Sequence, residues 1–266
     1  MNEQNSAEFE PPPPPPTPEE PREEPQMSEA GTMGNIFLEP ENTFKDLRRK
    51  PRFIIAGIII AILVMAYTFG VQMKVGEAGL RSFMSEQIDK SPQGDSLSKE
   101  QKGNAIDLQM KISKYTTYAL PIFVFISFLI GGLLYWAGAK AFGGTGTFTQ
   151  NLSVWIYSGF PPAVVGMVAN FIVLALKSAD DIDLATSQRG LLHANLGFFV
   201  GKEHAVISTI LSTFDVFAIW GWILAAIGLS VVNKMSKASA WTLVLLITLV
   251  GLGFRLIGAL LSGNPS

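Results

Sequence analysis

The sequence predicts an all-α polytopic transmembrane bundle of about five helices behind a disordered N-terminal tail, and three observations carry that reading. Hydrophobic residues make up 48% of the chain and charged residues only 16%, against about a quarter charged in an ordinary soluble domain. The charge is also unevenly placed, gathered in the first fifty residues and in two hydrophilic stretches. Between these lie five apolar runs, each near or above the roughly 20 residues that cross hydrocarbon.

Residues 1–32 hold prolines 11 to 16, Pro18, Pro21 and Pro25, with eight glutamates against one arginine. High charge with almost no large apolar side chain predicts disorder, with polyproline II over the proline run. The segment is read as a solvated cytosolic spacer, the alternative being a ligand for a proline-recognition domain. It lacks the basic and apolar regions of a signal peptide, so insertion is expected to be directed by the first span.

Residues 33–52 change character. Ile36, Phe37, Phe44 and Leu47 supply an apolar stripe, and Pro40 to Asn42 look like a helix start. Lys45, Arg48, Arg49, Lys50 and Arg52 crowd the other end. The expectation is a short interfacial basic helix whose cations contact lipid headgroups. The same cations would serve equally as a topology anchor.

The five-helix transmembrane domain is expected over residues 53–262, with spans at 53–73, 118–139, 152–176, 206–232 and 240–262. Pro161 and Pro162 fall inside the third span, where two missing backbone donors predict a kink or break; a re-entrant hairpin is the alternative. Basic residues are dense beside the first span and recur as Lys140, Lys234 and Lys237 in the short connections. The positive-inside rule then gives a cytoplasmic N-terminus and a C-terminus outside. The long 74–117 connection reads as helical near 79–90 and 99–114, with a turn at 91–94. Residues 191–200 suit a helix or loop resting on the outer interface.

Few residues could carry chemistry. Asp215 in span four and Arg255 in span five fall at similar depth on consecutive antiparallel helices, which predicts an intramembrane salt bridge that pins the two spans or lines a substrate path. His193, Glu203 and His204 match no zinc-ligand spacing. Asp180, Asp181 and Asp183 read as a solvated, helix-capping loop, with a weak divalent-cation site as the alternative. Absence of cysteine removes thiolate sites and thiol catalysis. The GGTG at 143–146 lacks the Lys-Ser/Thr ending of a phosphate loop. No catalytic residue, metal or cofactor is expected, and no nucleic-acid partner. Gly57 with Ala61, Gly221 with Ala225, and Pro162, Gly166 and Asn170 are small or polar residues at four-residue spacing, which permits close helix packing.

Three segments resemble the YIP1 domain family of five-span membrane proteins. NIFLEPENTFKDLRRKPRF (35–53) is similar to its entry, AKAFGGTGTFTQNLSVWIYSGFPPAV (139–164) to its short cytosolic turn, and FDVFAIWGWILAAIGLSVVNKMSKASAW (214–241) to its fourth span and following Lys turn. The resemblance covers roughly residues 33–262 and implies an all-α bundle. Eukaryotic relatives associate with small GTPases and with one another in vesicle budding and membrane shaping. This chain looks more like the prokaryotic branch, which implies a bacterial inner (cytoplasmic) membrane location, and it lacks the eukaryotic partner-binding region. The function expected is a non-enzymatic scaffold or adaptor. Its partners would be membrane lipids, other membrane proteins or a second copy, and a cytosolic partner of the tail. The alternative is a small transporter or channel using the broken third span and the Asp215–Arg255 pair.

Overall fold

A computed structural model describes residues 24–91, 94–187, 190–192, 194–200 and 204–262. Among these the secondary structure is entirely helical. Residues 1–23 of the tail, His193 and Glu203 lie outside the described residues.

Five helices are long and apolar enough to span a membrane: α3 (Ile54–Asp89), α4 (Lys99–Ala141), α5 (Phe148–Leu176), α8 (Val216–Asn233) and α9 (Lys237–Ser262). Their outward faces carry exposed Ile58, Ile62, Phe123, Leu129, Leu133, Leu245, Leu249 and Phe254. Contiguous exposed apolar surface of that extent suits lipid rather than water. The protein is an integral, multi-pass membrane protein. Below, the near face is the one where α3 begins, and the far face is its opposite.

α3 and α4 outrun the bilayer. At 1.5 Å per residue, their 36 and 43 residues reach about 54 and 64 Å, against a hydrocarbon core of about 30 Å. Their far ends form an antiparallel stalk tied by Arg81 to Asp107 (2.8 Å) and Lys102 to Asp89. After Lys90 the Gly94 amide donates to the Ser91 carbonyl (2.9 Å), and Ser98 with Gln101 forms a capping box that restarts the chain as α4. Gly76, at φ +72°, breaks the regular helix of α3 just beyond the apolar run.

Two elements differ from expectation. The third span does not break: α5 is one helix through Pro161 and Pro162, both buried. Pro161 and Pro162 cannot donate to the carbonyls of Tyr157 and Ser158, yet the segment remains helical against its neighbours. α8 presses there, since a Cβ built on Gly221 would lie 3.6 Å from Ser158 O and 3.8 Å from Pro162 Cγ. The fourth span, by contrast, is discontinuous. α7 (Ala205–Thr213) stops before Phe214, and α8 restarts with Asp215 as its N-cap.

The chain enters the bundle through α1 (Glu29–Asn35) and α2 (Pro40–Arg49), joined by a tight turn. Helix therefore begins inside the stretch expected to be tail, where Ser28 caps the Gly31 amide and Thr32 is buried. One face of α2 packs into the bundle. Ile36, Phe44 and Leu47 are wholly buried in one core shared with α3, α4, α5, α8 and α9. Gly228 of α8 makes room, since a Cβ there would meet the Phe44 ring at 2.9 Å. Phe37 packs edge-on against Phe160 and Trp220, about 18 to 20 Å along α5 and α8 from their near ends. The α1–α2 hairpin is thus a hook inserted into the near half of the bundle.

Candidate functional site

The near-face cations divide into two sets. Lys45 pairs with Glu41 one turn away at 2.7 Å, and that hydrogen bond holds the Glu41 carboxyl below its ordinary range. Lys50 is exposed and Arg49 half-buried. Arg48 donates to the Val231 carbonyl (3.4 Å), while its own carbonyl accepts from Gln150 Nε2 (2.6 Å). These four stand at the rim, where headgroups can reach Lys45 and Lys50. Arg52 departs from the expectation: its side chain is 5% exposed, paired with Asp46 (3.0 Å), itself 1% exposed. Arg52 also donates to Thr32 Oγ1 at 2.6 Å, and Asp46 accepts from the Gln26 amide. It latches the hook shut and is not available to lipid.

Asp215 and Arg255 come to the same corner of the far half, but the structure does not join them in an ion pair. Asp215 accepts from the Phe217 amide (2.8 Å) and from Asn195 Nδ2 (3.4 Å). Arg255 donates to Thr213 Oγ1 (3.0 Å) and Ser212 Oγ (2.8 Å), the last turn of α7. The reason is local. A broken helix leaves amides at the start of α8 and hydroxyls at the end of α7, and Asp215 caps the former while Arg255 reaches the latter. His204 is exposed, and among the described residues no group of acidic or histidine side chains is placed to hold a metal. Asp183 accepts from the Ala185 amide and Asp181 from Ser178, consistent with capping in a loop.

One cavity was not foreseen from sequence. It lies between α3, α4 and α5, and α6 (Leu184–Ser187) covers one side. The resulting cavity holds about 660 Å³, within the range of small-molecule sites. Val64, Val71, Leu120 and Met167 line its inner end; toward the stalk Gln72, Thr117, Gln109 and Gln87 bring amides and hydroxyls among Leu80, Phe83 and Met84. Gln72 Nε2 donates to Thr117 Oγ1 (2.8 Å), and Tyr67 donates to the Ser187 carbonyl (3.2 Å), which ties α6 to α3. Asn170 fixes the adjoining loop by accepting from the Leu191 and Leu192 amides at 2.6 and 2.9 Å. It bonds a loop, not a facing helix, and Gly190 at φ +110° lets the chain pass against it.

Residues 34–260 match the Yip1 domain. The chain belongs to the Yip1 domain family. It is also similar to the membrane protein YknW of Bacillus subtilis (strain 168), 25% identical over 241 residues that cover 88% of this chain and 93% of that one. No solved structure matches it.

The Yip1 region takes in the hook from Gly34 onward together with all five spans. Its short near-face turn (142–147) has a physical reason for its glycines. Gly143 has φ +79°, and a Cβ on Gly146 would sit 2.4 Å from Asn233 Oδ1. Asn233 and Asn151 exchange two amide hydrogen bonds, 2.9 and 3.0 Å, with both side chains buried. The Asn233 carbonyl accepts from the Thr145 amide at 3.1 Å. This clasp fastens α5, α8 and the turn between α4 and α5 at the near face of the Yip1 bundle. Sequence reasoning passed over both asparagines; a polar residue at each near-face span end was the available signal.

Proposed function

We propose that this Yip1-family protein is a non-enzymatic membrane scaffold or adaptor, acting by binding lipids, membrane proteins or cytosolic partners in membrane organisation or trafficking. The carrying observation is the packing of the near half. Ile36, Phe44 and Leu47 of the hook meet Val154, Tyr157 and Leu229 of the spans, all at 0% exposure. A close-packed core transmits no solute. The bundle is open toward the far face and solid toward the near one, which suits binding better than conduction.

The same reading places the protein in a bacterial inner membrane with the near face cytoplasmic. Its support is that Lys45, Arg48, Arg49, Lys50, Lys140, Lys234 and Lys237 all flank the near ends of spans. A second reading, a small transporter, draws on the discontinuity of span four at Phe214 and Asp215, since broken helices line transporter sites.

Reconstitution separates the two. Liposomes carrying the purified protein are expected to show no ion flux above empty liposomes, while purification in mild detergent from the native host returns a reproducible partner, with or without residues 1–23. Flux that disappears in Asp215→Asn would replace the scaffold by the transporter.

A further inference from the structure

We propose that the cavity between α3, α4 and α5 is a binding site for a neutral glycerolipid drawn from the far leaflet. Its acyl chain would lie against Val64, Leu120 and Met167, and its hydroxyl and ester oxygens would meet Gln72, Thr117 and Gln109. The proposal goes beyond the scaffold reading and does not depend on it.

Placement comes first. Val64 lies about 15 Å and Gln72 about 27 Å along α3 from Ile54, against roughly 30 Å of hydrocarbon, while Gln87 stands well beyond on the stalk. The cavity therefore begins near the bilayer middle and continues past the headgroup level onto the stalk, so its inner part spans the interval a far-leaflet lipid occupies. Over its inner part Val64, Leu120 and Met167 give way to Gln72 and Thr117, and on the stalk side Leu80, Phe83, Met84 and Ile112 alternate with Gln87 and Gln109.

Access follows from exposure. Gln87, Gln109, Ile112 and Thr116 line the cavity and are also exposed, so it opens along the α3–α4 seam. A molecule already in the leaflet reaches it sideways without entering water.

Charge selects the class of lipid. Among the described residues the wall holds no lysine, arginine, aspartate or glutamate, whereas sites for anionic headgroups are built from basic pockets. What it offers is amides and hydroxyls, each able to donate and accept. One donor of Gln72 is committed to Thr117, which fixes the amide's orientation. Hydroxyl and ester groups are complementary to such a wall; a phosphate is not, because desolvating it would find no counter-charge.

Photolabelling tests this on the full chain. The protein is reconstituted in phosphatidylcholine vesicles with a diacylglycerol bearing a diazirine on its acyl chain, irradiated, digested and mapped. Label is expected to concentrate on residues 64–87 and 109–120 and to be competed by unlabelled diacylglycerol but not by the same amount of phosphatidylglycerol. Thr116→Trp, from an exposed position at the mouth, should cut that label by about fivefold or more by occupying ligand volume, with the thermal midpoint unchanged. Should that variant fold poorly, Gln109→Glu, also exposed, should give the same loss by placing a carboxylate in the wall. Equal labelling by a phosphatidylglycerol probe would overturn the proposal. So would label spread over the lipid-facing belt at Ile122 to Leu134, or label unaffected in a well-folded variant.

Discussion

Arg52→Leu is expected to release the N-terminal hook while leaving the five spans inserted. Arg52 and Asp46 are a buried pair, and removal of one partner leaves the other charge uncompensated, which costs about 3–5 kcal/mol. At about 1.4 kcal/mol per tenfold, the docked fraction falls relative to the undocked by a factor of about a hundred to several thousand. The loss should be local, because the pair ties α1, α2 and the lead into α3 to one another and crosses to no other span. Limited proteolysis reads it out: cleavage within residues 24–53 should rise steeply while the remaining fragment stays membrane-bound. The double variant Asp46→Leu with Arg52→Leu should recover much of the protection, since removing both charges also removes their desolvation penalty. A single variant as protected as the parent chain would mean that Phe44 and Leu47 alone hold the hook.

Gly131→Leu is the second large effect, at the crossing of α4 and α5. A Cβ built on Gly131 would lie 1.9 Å from Trp155 Cε2, and the indole is held edge-on by Tyr135 at 4.8 Å. No small rotation relieves that overlap. Gly132 beside it would meet the backbone of Leu152 at 3.0 Å, so α4 cannot slide to compensate. Two effects oppose one another for the smaller change Gly131→Ala: alanine gains about 1 kcal/mol of helix propensity, while overpacking costs about 1–3 kcal/mol. With the overlap this deep the clash wins, and leucine should cost about 3 kcal/mol or more. Gly251→Ala and Gly253→Ala on α9, where a Cβ meets nothing within 4 Å, isolate the propensity and should be neutral or stabilising. Thermal unfolding in detergent, followed by monodispersity, distinguishes the four variants. Equal midpoints for Gly131→Leu and Gly251→Ala would contradict the close crossing.

The spans were legible because hydrocarbon demands long apolar runs, and such runs survive any tertiary detail. Even the stalk could be read, from helical patterning on both sides of a Ser-Pro-Gln-Gly turn. What sequence conceals is partnership. Arg52 and Lys50 sit two residues apart in one basic cluster, yet one is buried against Asp46 and the other exposed, a distinction set by how α1 folds back. The local rule predicts a kink or a break at Pro161 and Pro162, and the break does not occur where α8 packs against them. Asp215 carried a readable signal that was weighed as an intramembrane charge. An aspartate directly before an apolar run is also an N-cap, and that is the role it takes. The cavity could not be read at all, since its amides and hydroxyls come from scattered positions that converge only when three helices pack together.

The central claim is a Yip1 bundle closed at its near half and open at its far half. Because the chain contains no cysteine, single-cysteine variants test it against a silent background. Lys50→Cys, Gln109→Cys, Val154→Cys and Leu229→Cys are placed in sealed vesicles and exposed to a membrane-impermeant maleimide from either side. Lys50→Cys is expected to label from one side only and Gln109→Cys from the other. Val154→Cys and Leu229→Cys should stay unlabelled from both. Labelling of Val154→Cys or Leu229→Cys in the folded protein at a rate near that of Lys50→Cys would show an open path through the near half and contradict it.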